Sequence, residues 1–245
     1  MIPHIPPLII KDKNFNEEKV KGLGCYYLYT ASGLFLIKNM DLYHACMQVD
    51  NGPEWLAKHE EGEFIHFNIP KLPTLLIERV VGFFKVVYQH YQSEAIVHIY
   101  YNKKEKLFKL IVPHQFIEAF YGNGRYYTPL GVEYKNVPSP PGYIRIGTIH
   151  SHAEQMAHYS HTDFLDSRFD DSLNIVIGNL DRNLEKEKPS FYACMMLNGE
   201  KLTMDEREII QNYRKPFFPV SRKWFNKIHL IRKDYMQVSY DEKYN

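Results

Sequence analysis

The stretch from Pro73 to about residue 178 restricts the fold most, because one helical pattern is followed there by a series of strands. Apolar residues recur at helical spacing between Pro73 and Tyr91, with the proline at the start, where a helix tolerates it. The strand-like segments AIVHIYY and KLFKLIVP follow, and the charged turn NKKEK between them indicates a β-hairpin. YIRIGTIH and LNIVIGNL predict two further apolar strands. This order predicts an α/β or α+β sandwich.

Segments on either side of this series complete the predicted fold. Residues 24–37 contain two short strand patterns around the turn ASG, and residues 41–49 fit either a strand or a helix. The segment TMDEREIIQNYR predicts a helix, because Thr203 and Glu206 have the spacing of a capping box. The 245 residues suffice for one large domain or for a domain with an appendage.

Composition and charge narrow the classes of function. With 44% apolar and 24% charged residues, the chain has the composition of an ordinary soluble globular protein. Its 30 basic and 29 acidic residues leave a net charge of +1, which gives no general attraction to nucleic acid or to a membrane surface. We therefore expect neither nucleic acid nor a membrane as a partner.

Cysteine usage and the apolar segments indicate the compartment. Cys25, Cys46 and Cys194 are odd in number and far apart, which favours buried thiols in a reducing environment over a disulfide framework. The start, MIPHIPPLII, lacks the basic region and long apolar run of a signal peptide. Charged residues interrupt the longest apolar stretch, LPTLLIERVVGFFKVVYQHY, and exclude it as a membrane span. These features predict a cytoplasmic protein.

The segment IGTIHSHAEQMAHYSHTDF, residues 146–164, contains four histidines after a short apolar run. His150 and His152 are two residues apart at the end of a predicted strand, so both imidazoles face the same side. Asp163 follows after a chain reversal and offers a third ligand for an open, tetrahedral zinc site with one position left for water. The alternatives are structural: a polar sheet face for the histidines, and a helix N-cap for Ser160 with Asp163. The cap is compatible with the metal site.

The spacing of four residues in this segment is specific. H-x-H, seven residues and S-x-x-D are met by His150, His152, Ser160 and Asp163 without a gap, where a predicted strand gives way to a helix. The pattern resembles the JAMM motif of the MPN-domain (JAB, Mov34-type) zinc metalloproteases. The resemblance implies one catalytic Zn²⁺ held by His150, His152 and Asp163. It also implies that Ser160 donates a hydrogen bond to the oxygen that becomes negative during the reaction.

A general base also follows from the resemblance. In that family it is a glutamate near the first strand after the first helix, and Glu94 opens SEAIVHIYY at this place. Glu78 lies inside the predicted helix, while Glu118 and Glu133 come after the hairpin. The alternative for Glu94 is an exposed residue at a strand start, without a catalytic role.

Two further histidines and one substitution belong to the same segment. His158 and His161 flank Ser160, and we expect them at the rim of the cleft, in contact with substrate. As additional ligands they would close the site to water. The family's usual proline after the second histidine is replaced by Ala153, which leaves the ligand set unchanged.

The resemblance covers residues 71–213 and implies an MPN/JAB-type mixed β-sheet sandwiched by helices. It divides the chain into an N-terminal accessory region (1–70), the metalloprotease domain (71–213) and a basic, aromatic C-terminal tail (214–245). The accessory region would bind a partner or support the core. The tail has seven Lys or Arg and no acid between Arg214 and Lys233. It fits either a surface for an acidic partner or a partly packed helix with buried Phe and Trp side chains.

A substrate is implied by the family as well. MPN-type hydrolases cleave a peptide or isopeptide bond after the flexible C-terminal tail of a ubiquitin-like protein. YYLYTASGLFL, LFKLIVPHQ and the histidine segment are similar to bacterial members encoded with E1-like, E2-like and ubiquitin-like proteins, some in antiphage defence systems. The expected partners are a ubiquitin-like protein or its conjugates, and E1-like or E2-like proteins of the same operon. Two alternatives stay open: a non-catalytic MPN scaffold, and a hydrolase that trims a sulfur-carrier protein.

Overall fold

The computed structural model describes residues 6–52, 59, 62–122, 125–127 and 132–233. Residues 234–245 of the predicted tail, and most of the polar link that precedes residue 62, lie outside this part of the chain. Within the described ranges the chain forms three β-sheets and three α-helices. None of these helices is both long and apolar enough to cross a membrane.

The N-terminal sheet has five strands in chain order. They are β1 (Leu8–Ile10), β2 (Cys25–Thr30), β3 (Gly33–Asn39), β4 (Tyr43–Asp50) and β5 (Phe64–Phe67). β2 and β3 are the two strands predicted around the ASG turn, and they pair antiparallel. The ambiguous segment 41–49 is a strand, β4, because it pairs with neighbours on both sides.

The remaining elements follow in chain order. They are α1 (Thr74–Tyr91), β6 (Ile96–Asn102), β7 (Leu107–Ile111), β8 (Gln115–Gly122), β9 (Arg125–Tyr127), β10 (Glu133–Tyr134), β11 (Ile144–Ser151), α2 (His161–Ser167), β12 (Ser172–Gly178), β13 (Ser190–Leu197), β14 (Glu200–Met204), α3 (Arg222–Phe225) and β15 (Ile228–Lys233). The predicted helix and hairpin are confirmed as α1 and the antiparallel pair β6 and β7. The predicted strands YIRIGTIH and LNIVIGNL are confirmed as β11 and β12.

The central sheet has six strands in the order β14-β13-β12-β11-β6-β7. β11 and β12 are parallel, while the other neighbours are antiparallel. A parallel pair needs a crossover connection, and here the histidine-rich loop and α2 provide it. This connection therefore lies against the sheet at the end of β11.

The hydrophobic core lies on one face of the central sheet, under α1. The helix buries one apolar side there: Ile77, Val80, Val81, Phe83, Phe84 and Val87. Leu36, Ala45 and Met47 of the N-terminal sheet belong to the same core. The N-terminal sheet therefore supports the core of the central sheet, and the boundary predicted at residue 70 lies between β5 and α1. Mixed sheets with helices confirm the α+β class.

The C-terminal segment packs against α1. Trp224 meets the ring of Phe83 edge-on at 5.6 Å, and Phe225 stacks on Tyr91 at 5.9 Å. The predicted helix is limited to the four residues of α3, after which β15 pairs in parallel with β8 in the third sheet, β10-β8-β15. Trp224 and Phe225 are half-buried, as one of the two interpretations predicts, whereas Phe217 and Phe218 are exposed.

One predicted helix is wrong. The segment that begins at Thr203 continues β14, in which Thr203 pairs with Cys194, and only a short 3₁₀ turn follows at Glu206–Glu208. Asp205 caps that turn, accepting a hydrogen bond from the amide of Arg207. Pairing along the edge of the central sheet thus outweighs the local capping-box pattern.

Candidate metal centre

Three side chains of the histidine-rich segment converge on one point. The Nε2 atoms of His150 and His152 are 3.3 Å apart. Oδ1 of Asp163 lies 3.1 Å from Nε2 of His150, and Oδ2 lies 3.4 Å from Nε2 of His152. The two histidines are buried and the aspartate is half-buried, and together they could hold a metal ion. The structure thus brings together the three side chains that the sequence predicts as ligands.

Both histidines lie at the end of β11, on the face opposite to the core. His150 pairs with Ile96 of β6, and its neighbour Ile149 belongs to the core. Since side chains alternate along a strand, His150 points to the other face. The amide of His152 donates to the carbonyl of Ile177 at 2.9 Å, which extends the ladder with β12 by one step.

The loop of residues 153–159 is fixed to the ends of β12 and β13. The amide of Ala157 donates to the hydroxyl of Ser190 at 2.7 Å. Gly178, the last residue of β12, lies so close to the backbone of this loop that an added Cβ would be 2.1 Å from the carbonyl oxygen of Gln155. A glycine at this position is therefore required for the loop to pack where it does.

Ala153, directly after the second histidine, has a left-handed backbone with φ of 46°. Its side chain is fully buried, and its carbonyl accepts a hydrogen bond from the amide of Leu180 at 2.8 Å. Proline, with φ fixed near −65°, cannot adopt this conformation. The alanine at this position is therefore consistent with the backbone conformation, which excludes proline.

Ser160 and Asp163 form the predicted cap at the start of α2. The amide of Asp163 donates to Oγ of Ser160 at 3.1 Å, and the amide of Ser160 donates to Oδ2 of Asp163 at 2.7 Å. The hydroxyl of Ser160 also donates to Oδ2 at 2.7 Å. Tyr159 adds a hydrogen bond from its hydroxyl to the carbonyl of Asp163 at 3.1 Å. The cap therefore holds the carboxylate in the orientation that faces the histidines.

The carboxyl group of Asp163 is ionised in this environment. Burial acts to raise its pKa, but hydrogen bonds from His150 and His152 outweigh burial and hold the pKa well below its usual range. The backbone amide of Ser160 acts in the same direction. The carboxylate of Asp163 thus presents one negative charge to a cation.

Glu94 lies beside the group, just before β6. The amide of Ala95 donates to Oγ of Ser151 at 2.9 Å, and the amide of Ser151 donates to the carbonyl of Ala95 at 2.9 Å. The bond to the carbonyl of Ala95 continues the antiparallel register of β6 and β11, in which Glu94 comes opposite His152. Burial raises the pKa of Glu94 to about 7, although the charge of His152 acts against this rise.

His158 and His161 occupy different places, although both were predicted at the rim. Nδ1 of His158 lies 3.2 Å from Nδ1 of His152, on the side of that ring away from Asp163. His161 is exposed on α2, and its ring stacks on Phe164 with centroids 6.4 Å apart. Neither histidine belongs to the three-residue group.

The group opens into a cleft of 340 Å³ on this face of the sheet. The cleft continues past Thr148 and Asn174, which are joined by a hydrogen bond of 3.2 Å, to Arg145. All five predicted site residues line it: Glu94, His150, His152, Ser160 and Asp163. The candidate ligands, Glu94 and the hydroxyl of Ser160 therefore face one open cleft.

Supporting residues of the site were not predicted. Ser151 ties the segment of Glu94 to β11, and Gly178 admits the loop. The role of Gly178 could have been predicted from the sequence, because a lone glycine in an apolar strand often marks a close approach of another backbone segment. No local pattern indicates the role of Ser151, because its partner belongs to another strand.

Comparison with known proteins does not identify a family. No family model matches the chain, and no curated protein matches it. The assignment of a function therefore depends on the residues of the cleft.

Proposed function

We propose that His150, His152 and Asp163 bind one Zn²⁺ ion. Zinc ligands at about 2.0–2.1 Å in tetrahedral geometry lie about 3.3 Å from one another. Nε2 of His150 and Nε2 of His152 are 3.3 Å apart, and they lie 3.1 Å and 3.4 Å from Oδ1 and Oδ2 of Asp163, respectively. The ligand atoms, one from each residue, all lie within 4.8 Å of one another. Imidazole nitrogen and carboxylate oxygen are both usual zinc ligands. The convergence of these three side chains is the observation that carries the proposal.

The proposed reaction is hydrolysis of a peptide or isopeptide bond. When bound, zinc supplies an activated water molecule and polarises the scissile carbonyl. Three protein ligands leave a position open, as in catalytic rather than structural sites. The convergence of these ligands with an acid–base residue favours a hydrolase over the non-catalytic scaffold.

Glu94 is proposed as the general base. In the metal-free protein, burial raises the pKa of Glu94 to about 7. A carboxyl group in the cleft can accept a proton from water and later donate it to the leaving amine. Its side chain lines the same cleft as the three proposed ligands, which supports this role. Burial, rather than a neighbouring anion, is the main cause of the raised pKa.

Ser160 is proposed to stabilise the oxygen that becomes negative. Its hydroxyl donates to Oδ2 of Asp163, so the side chain is already fixed beside the ligands. Turning the O–H bond towards the cleft would leave the backbone amide of Ser160 as a donor to Asp163. Losing one such hydroxyl donor typically costs about 3 kcal/mol of barrier.

The proposed substrate is the C-terminal tail of a ubiquitin-like protein, joined to a peptide or to a lysine side chain. This part of the proposal comes from the resemblance of the motif. It includes E1-like and E2-like proteins as partners in a bacterial conjugation system. Trimming of a sulfur-carrier precursor uses the same chemistry on a different substrate.

The test uses the full chain, purified with and without zinc. We expect about one zinc ion per chain by elemental analysis, and its loss in Asp163→Ala. The protein should cleave a fusion of a genomically neighbouring ubiquitin-like protein to a reporter, and a chelator should stop the reaction until zinc is restored. Cleavage by a metal-free preparation would exclude this mechanism. If the protein cleaves a fusion to a sulfur-carrier protein but not the fusion to the ubiquitin-like protein, the alternative substrate is supported.

A further inference from the structure

We infer that His158 is a positioning residue for the ligand His152, an inference that rests on the proposed metal centre. The two Nδ1 atoms are 3.2 Å apart, and the rings meet edge-on with centroids 4.4 Å apart. Histidine ligands of metals usually donate their second ring N–H to a neighbouring acceptor, which fixes the ring orientation. In this protein the acceptor is another imidazole.

A cation bound to His152 would determine which nitrogen of each imidazole carries the proton. Nε2 of His152 faces His150 and Asp163, so it must hold the free electron pair when a cation is bound. The proton of His152 is then on Nδ1, which points at Nδ1 of His158. His158 must accept there, with its own proton on Nε2.

A second acceptor competes for His158. The carbonyl of Met156 lies 2.9 Å from Nδ1 of His158 and suits the tautomer with a proton on that nitrogen. That tautomer cannot accept from His152. Metal binding therefore selects the acceptor form of His158 and exchanges the bond to Met156 for the bond from His152.

The backbone places His158 for this role. The preceding residue, Ala157, is buried and bonded to Ser190, and the following residue, Tyr159, is bonded to the carbonyl of Asp163. The ring thus rests against His152 on a segment held from both sides. His158 is not one of the three residues that could hold the metal ion.

The test measures zinc affinity of the metal-free full chain by competition with a chromogenic chelator. We expect His158→Ala to bind zinc about tenfold more weakly or worse than wild type. His158→Asn, which keeps an acceptor near the position of Nδ1, should recover most of this loss. His161→Ala is the matched control and should bind as wild type does. Melting temperatures of the metal-free proteins should agree, which separates positioning from folding.

A Co²⁺ titration distinguishes positioning from ligation. At saturation, His158→Ala should keep the wild-type visible spectrum, since all three ligands are present. A changed spectrum would make His158 a ligand and overturn the inference, as would a wild-type zinc affinity for His158→Ala. A wild-type chain that binds no zinc would overturn the proposed function and this inference together. Zinc binding without cleavage would contradict the proposed reaction but not the positioning role of His158.

Discussion

Lys38 of β3 and Asp171, the residue before β12, form an ion pair that joins the N-terminal sheet to the central sheet. The Lys38 side chain is only 6% exposed. Asp171 also accepts hydrogen bonds from the hydroxyl of Tyr43 at 2.6 Å and from the amide of Asn198 at 3.1 Å. Both chain neighbours of Asp171 line the cleft. The N-terminal sheet therefore fixes the end of the connection that carries Asp163.

Removing the carboxylate of this pair should destabilise the fold strongly. In Asp171→Ala the Lys38 ammonium stays buried without its partner, and we expect the free energy of unfolding to fall by about 3 kcal/mol. Urea denaturation measures this change. Asp41→Ala is the control, because its pair with Lys103 is exposed and should contribute little. Equal stabilities of the two variants would mean that the Lys38–Asp171 pair is not a structural connection.

Acid should weaken the fold through His98. Its side chain is fully buried, and neither ring nitrogen has a hydrogen-bond partner in the described part of the chain. Burial, with a smaller effect of Arg145, lowers its pKa from 6.5 to about 4. Between these pH values the unfolded chain binds a proton that the folded chain does not, so stability falls as the pH falls. The loss amounts to about 3 kcal/mol.

The variant His98→Phe isolates this effect. The ring keeps a similar shape but does not titrate, so the slope of unfolding free energy between pH 6.5 and pH 4 should be shallower than in wild type. Its stability at pH 7 should also rise by about 1 kcal/mol, because an unpaired polar group is removed from the core. Parallel curves for the two proteins across this range would assign the acid sensitivity to other groups.

Glu94→Gln should separate metal binding from catalysis. The amide has the same shape but cannot accept the proton, so hydrolysis should fall at least about 100-fold while zinc content is unchanged. Glu154→Gln is the matched control, since Glu154 is exposed in the neighbouring loop and accepts a hydrogen bond from the hydroxyl of Tyr88 at 3.1 Å. Rates under saturating substrate and zinc analysis check both variants. Normal hydrolysis by Glu94→Gln would exclude Glu94 as the base.

Local sequence patterns predicted much of the fold. They failed where the secondary structure of a segment depends on pairing with another strand. The periodicity of α1 and the alternation in β11 act over a few residues and gave correct elements. Asn198 and Gly199, both with positive φ, form the two-residue turn between β13 and β14. Asn-Gly between apolar runs is a strong hairpin signal. It was available in the sequence and outweighs the capping-box spacing at Thr203.

The same distinction applies to the cleft. The three candidate ligands could be predicted because strand alternation and a helix cap are local features with fixed spacing. Lys38 and Asp171 are 133 residues apart, and no local pattern relates them. The contact between His158 and His152 depends on how β12 and β13 hold the intervening loop, and sequence spacing does not determine that.

Gly178 should be essential to the geometry of the site. An added Cβ would lie 2.1 Å from the carbonyl oxygen of Gln155 and 2.5 Å from the amide nitrogen of Ala157, so Gly178→Ala must push the loop away from β12. We expect a loss of stability of about 1–3 kcal/mol and weaker zinc binding, because the displaced loop carries His158 and leads to Asp163. Gly62→Ala is the control, because beyond its chain neighbours no atom of the described residues lies within 4 Å of the added group. Thermal unfolding and zinc titration of both variants measure the effect, and wild-type zinc affinity in Gly178→Ala would show that the ligand geometry does not depend on this contact.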